Sequence, residues 1–292
     1  MPARENRFMK TMRSPALYTN ATVHPIKSEA GWGFPDLREL WAARELIYFF
    51  VLRDLKARYK QTIFGWTWAL LQPFLTMVVF TVVFSIIARV PTGSVPYPIF
   101  NLSGLLLWTF FVNAFRGAAT SLTTNGHLMR KVYFPRLVFP LGDIFATLVD
   151  FVISLPLLFA MLLFFQIVPT WHLVWIPVFV LIAMFTAFGF GLWVAAIHVR
   201  YRDIGHFLPF LTQVWMYGTP VVYPYDLVPE WMRPFYNLNP MVGVIDGMRW
   251  ALLGSGRAPD ITLLYGVVVI VVVMVSGLVF FRHMEAEFAD VV

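Results

Sequence analysis

The chain has 292 residues, of which 59% are hydrophobic and 13% charged, with a mean hydropathy of +0.70. That balance excludes a soluble globular domain and marks an integral membrane protein. The net charge of +6 does not point to nucleic acid, because membrane proteins gather Lys and Arg on cytoplasmic loops; cysteine is absent, which excludes disulfides and thiolate metal sites.

Residues 1–36 carry Arg4, Arg7, Lys10, Arg13 and Lys27 and lack the apolar run of a secretory signal. They are expected to form a mobile cytoplasmic tail ahead of a membrane domain, 37–292. From 37 to 60, Leu37, Leu40, Trp41, Ile47, Tyr48, Val51, Leu52, Leu55 and Tyr59 recur at helical spacing, with Arg38, Glu39, Glu45, Arg53, Lys56 and Lys60 mainly on other faces. This predicts a basic amphipathic helix at the membrane surface. The basic cluster Arg53, Lys56, Arg58 and Lys60 then gives way to Gln61–Ala88, which has no Asp, Glu, Lys or Arg.

A helix crossing about 30 Å of hydrocarbon needs about 20 apolar residues. Six segments qualify or approach this: 66–88; a second within Val90–Phe115, starting after Pro96-Tyr97-Pro98; Leu137–Ile167; Leu173–Ile197; Phe207–Tyr225, broken by Pro209, Pro220 and Pro224; and Ile261–Phe281. The run VVVIVVVMV in the last would suit a strand in water. In lipid each backbone group must be paired within its segment, so helix is expected, and the alternation of a membrane barrel is missing. The fold class predicted is therefore all-α, with six transmembrane helices. Eighteen of the 22 Lys and Arg fall on the side of the termini and four (Arg89, Arg233, Arg249, Arg257) on the other, which predicts cytoplasmic termini.

Two connections do more than turn the chain. The basic stretch 124–136 is long enough for a short helix of its own, and 198–206 is a shorter basic loop. On the opposite side, Asn239-Pro240 is a helix start, Met241, Val244, Ile245, Met248 and Leu252 form an apolar face, and Gly254 can end the helix. A shorter turn opening near Pro229 precedes it. Together 226–254 are expected to form a re-entrant helix pair, with Gly243 and Gly247 allowing close approach and Asp246 one turn from Arg249. Asp143, Thr147, Asp150 and Ser154 share a face of the third span. Intramembrane acids face protein or water, so Asp143 and Asp150 are expected to pair with an arginine or serine of a neighbouring helix; a proton relay is the alternative.

The chain has no phosphate-binding loop (Gly-Lys never occurs), no HExxH or other metal spacing, and nothing like a nucleophile elbow. Catalysis by this chain alone is not expected, so any energy source must be a partner or an ion gradient.

The runs RDLKARYKQTIFGWTWALLQPF (53–74), LMRKVYFPRLVFPL (128–141), VRYRDIGHFLPF (199–210) and NPMVGVIDGMRWAL (239–252) together resemble the permease of type-2 ABC exporters. The nearest subgroup is that of polysaccharide exporters moving lipid-linked O-antigen, capsule or teichoic acid chains, and the resemblance covers about residues 36–288. It implies a homodimer in the bacterial inner membrane joined to two copies of a separate ATPase, which would hold the ATP and Mg; no cofactor is expected on this chain. It implies contact with the ATPase at the surface helix (Arg44, Glu45), at the first inner loop (Asn125, His127, Met129, Arg130, Lys131) and secondarily at Arg202 and Asp203. A polyprenyl-pyrophosphate-linked glycan is the implied cargo. Arg53, Lys56, Arg58 and Lys60 are then candidates for a pyrophosphate collar, and Trp215, Tyr217, Tyr223, Tyr225, Trp231 and Tyr236 for an outer gate on which sugars slide. The residues leave open an exporter of small lipids or drugs, an ion-driven carrier using Asp143 and Asp150, and a membrane scaffold.

Overall fold

A computed structural model describes residues 37–60, 65–129 and 135–291, and the expectation for the tail lies outside them. Helices and connecting turns make up the described residues, with no strand among them. Helices α1 (Leu37–Ala42) and α2 (Arg44–Tyr59) come first. The first span runs through a 3-10 turn at Gly65–Thr67, α3 (Trp68–Phe80) and a wide π-helical stretch, Thr81–Ile87. Then follow α4 (Tyr97–Thr124), the single turn α5 (Gly126–Met129), α6 (Val138–Phe164), and α7 (Ile176–Arg200), which is entered through a 3-10 segment at Trp171–Trp175. The chain ends with α8 (Ile204–Tyr217), α9 (Arg233–Tyr236), α10 (Pro240–Leu253) and α11 (Ile261–Val291). The valine-rich run expected to be helical lies inside α11.

Among the described residues, five segments are long and apolar enough to cross a membrane: Gly65–Ile87, Tyr97–Thr124, Val138–Phe164, Trp171–Arg200 and Leu263–Glu285. They match five of the six expected spans. Helix α4 is the centre of the bundle, buried over most of its length against α6 and α7, whereas α3 and α11 leave most of their apolar surface uncovered. One boundary differs. The second span was expected to be over by Phe115, but α4 continues to Thr124. Arg116 therefore sits eight residues inside the helix end, about 12 Å at 1.5 Å per residue, and is not a loop charge.

The remaining expected span is broken. Helix α8 has 14 residues, about 21 Å, which is too short to cross alone. Beyond α8 the chain continues as irregular backbone, and residues 219–222 are all buried. Irregular backbone at membrane depth persists only where protein satisfies its polar groups, and here it does. The Arg249 side chain, 1% exposed, donates to the carbonyls of Pro220 (2.5 Å), Val221 (2.5 Å) and Phe100 (3.3 Å), with its guanidinium 3.7 Å from the centre of the Phe100 ring. The Tyr97 hydroxyl takes the next carbonyl, Val222, at 2.8 Å. Gly104 makes room: a Cβ there would lie 2.8 Å from Arg249 Nη2 and 3.2 Å from the Val221 carbonyl. Arg249 thus spends its hydrogen bonds on carbonyls, while Asp246, one turn away, acts on it as a nearby opposite charge.

Short helical elements stand within 226–254, where they were expected. A 3-10 turn at Glu230–Met232 leads into α9, and α10 starts at Asn239, whose side chain accepts from Met241 N at 3.1 Å. The same amide donates to Gly218 O (3.0 Å) and Thr219 Oγ1 (2.8 Å) and accepts from Trp215 Nε1 (3.1 Å), so one cap also fastens the end of α8. Gly254 closes α10 in the left-handed region, at φ 64°. Helix α10 is buried almost all round, with Gly247 directly against the Phe179 ring of α7 and Gly243 against Leu263 of α11.

At the other, basic end a second core gathers Phe50, Leu122, Leu137, Val138, Phe139, Val199 and Phe281, with Leu40, Leu46, Leu128 and Met129 packed on it. This core holds α1, α2 and α5 against the ends of α4, α6, α7 and α11. Helix α2 runs lengthwise on α6: Phe50 meets Gly142, and eight residues on in both helices Arg58 meets Asp150. Phe50, absent from the expected apolar face, is the buried anchor, while Trp41 and Tyr48 of that face are exposed.

Replacing Arg249 by Met removes all three donors; Phe100 O keeps its bond from Ser103 Oγ, but the buried carbonyls of Pro220 and Val221 lose theirs, each worth about 1–3 kcal/mol. Arg249→Met is expected to lose roughly 3 kcal/mol or more, about 10 °C of unfolding midpoint in detergent. Arg257→Gln, on an exposed pair with Asp260, is expected to stay within about 0.5 kcal/mol. Equal midpoints for the two variants would contradict the role assigned to Arg249.

Candidate functional site

A cavity of about 430 Å³ lies between α2, α3, α4 and α6. Arg58 and Tyr59 close it at the end of α2, and Trp68, Gln72 and Pro73 line it from the start of the first span. Thr109, Asn113 and Arg116 face it from α4, and Thr147, Asp150 and Ser154 from α6. Three helices that are otherwise apolar here turn polar residues to one place, and Asn113 and Gln72 are exposed at its open side.

Asp150 receives two bonds from the end of α2. Arg58 Nη1 is ion-paired with its Oδ2, and the Tyr59 hydroxyl donates to its Oδ1 at 2.6 Å. Burial, and then the bond to Asp150, hold the Tyr59 phenol above its ordinary pKa, so it remains a donor. Tyr59 also stacks on Trp66, with centroids 4.4 Å apart and planes 8° off parallel. The pairing of an intramembrane acid with an arginine is as expected for Asp150, although the partner comes from the surface helix. Asp143 lies against Gly117 of α4, its Cβ 3.1 Å from where a Gly117 Cβ would be, and its backbone carbonyl accepts from Thr147.

Arg116 is the second guanidinium at the cavity. Its Nη2 bonds Thr212 Oγ1 and the Pro209 carbonyl of α8, at 3.2 Å for the latter, while its Nε is buried with no hydrogen-bond partner. No carboxylate bonds it among the described residues. The charged lining is thus two guanidinium groups and one carboxylate.

The four collar residues separate. Arg58 is committed to Asp150, and Arg53 bonds Asp54 (2.8 Å from Nε) with its guanidinium over the Phe50 ring at 4.6 Å. Lys56 and Lys60 are exposed. Among the residues expected to meet an ATPase, Arg44, Glu45, His127, Arg202 and Asp203 are exposed at the basic end, and Met129 is half-buried on its core. Asn125 is buried, its Nδ2 donating to Ser121 O at 2.9 Å to close α4. Arg130 and Lys131 lie outside the described residues.

The six outer aromatics also divide. Trp215 packs among Trp108, Phe111, Phe115 and Phe190, the nearest centroid being 5.0 Å away. Tyr225 is buried and donates to Asn237 Oδ1 at 2.9 Å; Tyr223 bonds the Tyr236 hydroxyl and the Tyr217 carbonyl. Tyr217 and Trp231 are exposed.

Sequence reasoning missed Thr109, Asn113 and Arg116 as cavity residues. Their signal is a polar set at i, i+4 and i+7 in an apolar helix, hidden because Arg116 was counted with the following loop.

The family described as ABC-2 type transporter matches residues 45–253. The chain is 33% identical over 258 residues to the O-antigen export system permease protein RfbA of Myxococcus xanthus, covering 87% of this chain and 98% of that one. The protein of the same name from Klebsiella pneumoniae is 25% identical over 249 residues, 85% of this chain and 95% of its own length. The polysialic acid transport protein KpsM of Escherichia coli is 23% identical over 248 residues, 80% and 91% of the two chains. The match takes in α2, the cavity, the broken span and α10, and with them the chain belongs to the ABC-2 type transporter family as a multi-pass membrane permease.

Proposed function

We propose that this chain is the transmembrane subunit of an ATP-driven exporter that moves a lipid-linked polysaccharide, of O-antigen or capsule type, out across the bacterial inner membrane. The observation that carries this is the likeness, nearly end to end, to permeases named for O-antigen export and polysialic acid transport. The working unit is a homodimer with two copies of a separate ATPase that binds ATP and Mg, and the termini are cytoplasmic. This orientation is supported by the division of Lys and Arg, which is 17 to 3 once Arg116 and Arg249, both set inside the bundle, are left out.

In this reading α1, α2 and α5 are the handle for the ATPase, since all three sit on the basic-end core with Arg44, Glu45 and His127 exposed. Movement of α2 along α6 passes to the cavity through Arg58, Tyr59 and Asp150, a rigid-body route with a polar latch at its end. Outside, Tyr217 and Trp231 keep exposed aromatic faces for sugars, whereas Trp215, Tyr223, Tyr225 and Tyr236 shape the gate by packing and hydrogen bonding.

Loss of the gene is expected to leave lipid-linked glycan inside the cell and deplete it from the surface. Normal surface glycan with accumulation of a small lipid would instead assign a small-lipid exporter, and transport that survives loss of the ATPase but not of the proton gradient would assign an ion-driven carrier. Because the chain has no cysteine, single replacements locate the motor. His127→Cys is expected to crosslink to the co-expressed ATPase through a short bifunctional maleimide, and Trp231→Cys to give no product. Absence of product from His127→Cys together with Arg44→Cys would refute the handle.

A further inference from the structure

We propose that the cavity between α2, α3, α4 and α6 is a binding site for a phosphate-bearing lipid headgroup, with Asp150 as a built-in counter-ion that the phosphate displaces from Arg58. The export reading supplies the context on which this rests, but the argument comes from the cavity itself.

A charged side chain at membrane depth is costly and is kept where it has a partner or a task. Asp150 neutralises Arg58. Arg116, about 12 Å inside the end of α4, has no carboxylate partner among the described residues, and its Nε is buried without any hydrogen bond. The cavity therefore carries a surplus positive charge and an unused donor. Guanidinium groups suit phosphate because their planar fork makes paired, charge-assisted bonds. Around them Asn113, Gln72 and Thr109 add polar contacts, and the open side is next to the apolar α3, where an acyl or prenyl tail can remain in lipid. The volume of about 430 Å³ accommodates a headgroup but no folded sugar chain.

Asp150 and an incoming phosphate compete for Arg58. An anion that wins also takes the Arg58–Tyr59 end of α2 off α6, so occupancy would be felt by the helix assigned to the motor. The site is thus placed to report a loaded lipid.

Native mass spectrometry of the full-length chain in phosphatidylcholine nanodiscs tests this, with undecaprenyl pyrophosphate and phosphatidylglycerol titrated separately. Arg116→Gln and Arg58→Gln are each expected to weaken binding of the preferred lipid about tenfold or more, Arg116→Lys to weaken it less, and Asp150→Asn to tighten it severalfold. The opposite sign for Asp150→Asn separates the site from general misfolding. Binding unchanged in Arg116→Gln, or weakened in Asp150→Asn, would overturn the proposal. Residue-dependent preference for undecaprenyl pyrophosphate assigns the site to the glycan carrier, and the reverse preference assigns it to bulk anionic phospholipid. If export proves to be of something else, the binding pattern still stands or falls alone.

Discussion

The fold depends on one buried arginine. A bilayer offers no water to unpaired carbonyls, so a span interrupted by Pro220 and Pro224 needs protein donors at its break. Arg249 supplies three, reaching carbonyls on either side of the gap between α4 and the end of the α8 segment. Burying a guanidinium costs several kcal/mol, and three charge-assisted bonds at about 1.5–3 kcal/mol each offset that. The net stabilisation is modest, but without the arginine the Pro220 and Val221 carbonyls lose their donors. The arginine therefore fixes where α10 sits more than it adds to overall stability. Gly104 on α4 and Gly247 on α10 are the complementary part of that constraint, since a side chain at either would meet the guanidinium or the Phe179 ring.

The two ends of the bundle are consequently built differently. Around α10 the chain is tied by side-chain bonds to backbone, with Asn239 and Tyr97 joining Arg249 in sealing the broken span. At the basic end α2 is held by the Phe50 anchor and by the bonds of Arg58 and Tyr59 to a single carboxylate. Partly exposed ion pairs contribute about 0–1 kcal/mol, so this contact can open at little cost while the far end stays shut.

Much of this was legible in the sequence. Five spans follow from apolar length alone, and α10 from a cap, a proline and a terminal glycine that act locally. Pairing of Asp150 with an arginine was expected from the cost of an intramembrane acid. What could not be read depends on approach in space. The spacing of Asp246 and Arg249 showed two charges that could offset one another, but not that the guanidinium would bond carbonyls brought near by two other segments. Phe50 was passed over because helical periodicity marks a face without saying which part of it meets α6. Arg116 was hidden by a boundary placed nine residues too early, since a charge in an otherwise apolar run looks the same at the end of a helix as two turns inside it. Trp215 looked like an interfacial ring and is instead packed among four other aromatics.

The central claim is that Arg249 closes the broken span. In a chain without native cysteine, Val221→Cys, at a fully buried position beside the Arg249 guanidinium, can be probed in intact cells with a membrane-impermeant maleimide. The account predicts no labelling in the otherwise native chain and ready labelling when Val221→Cys is combined with Arg249→Met. Labelling of the single variant, or equal protection in both, would contradict it.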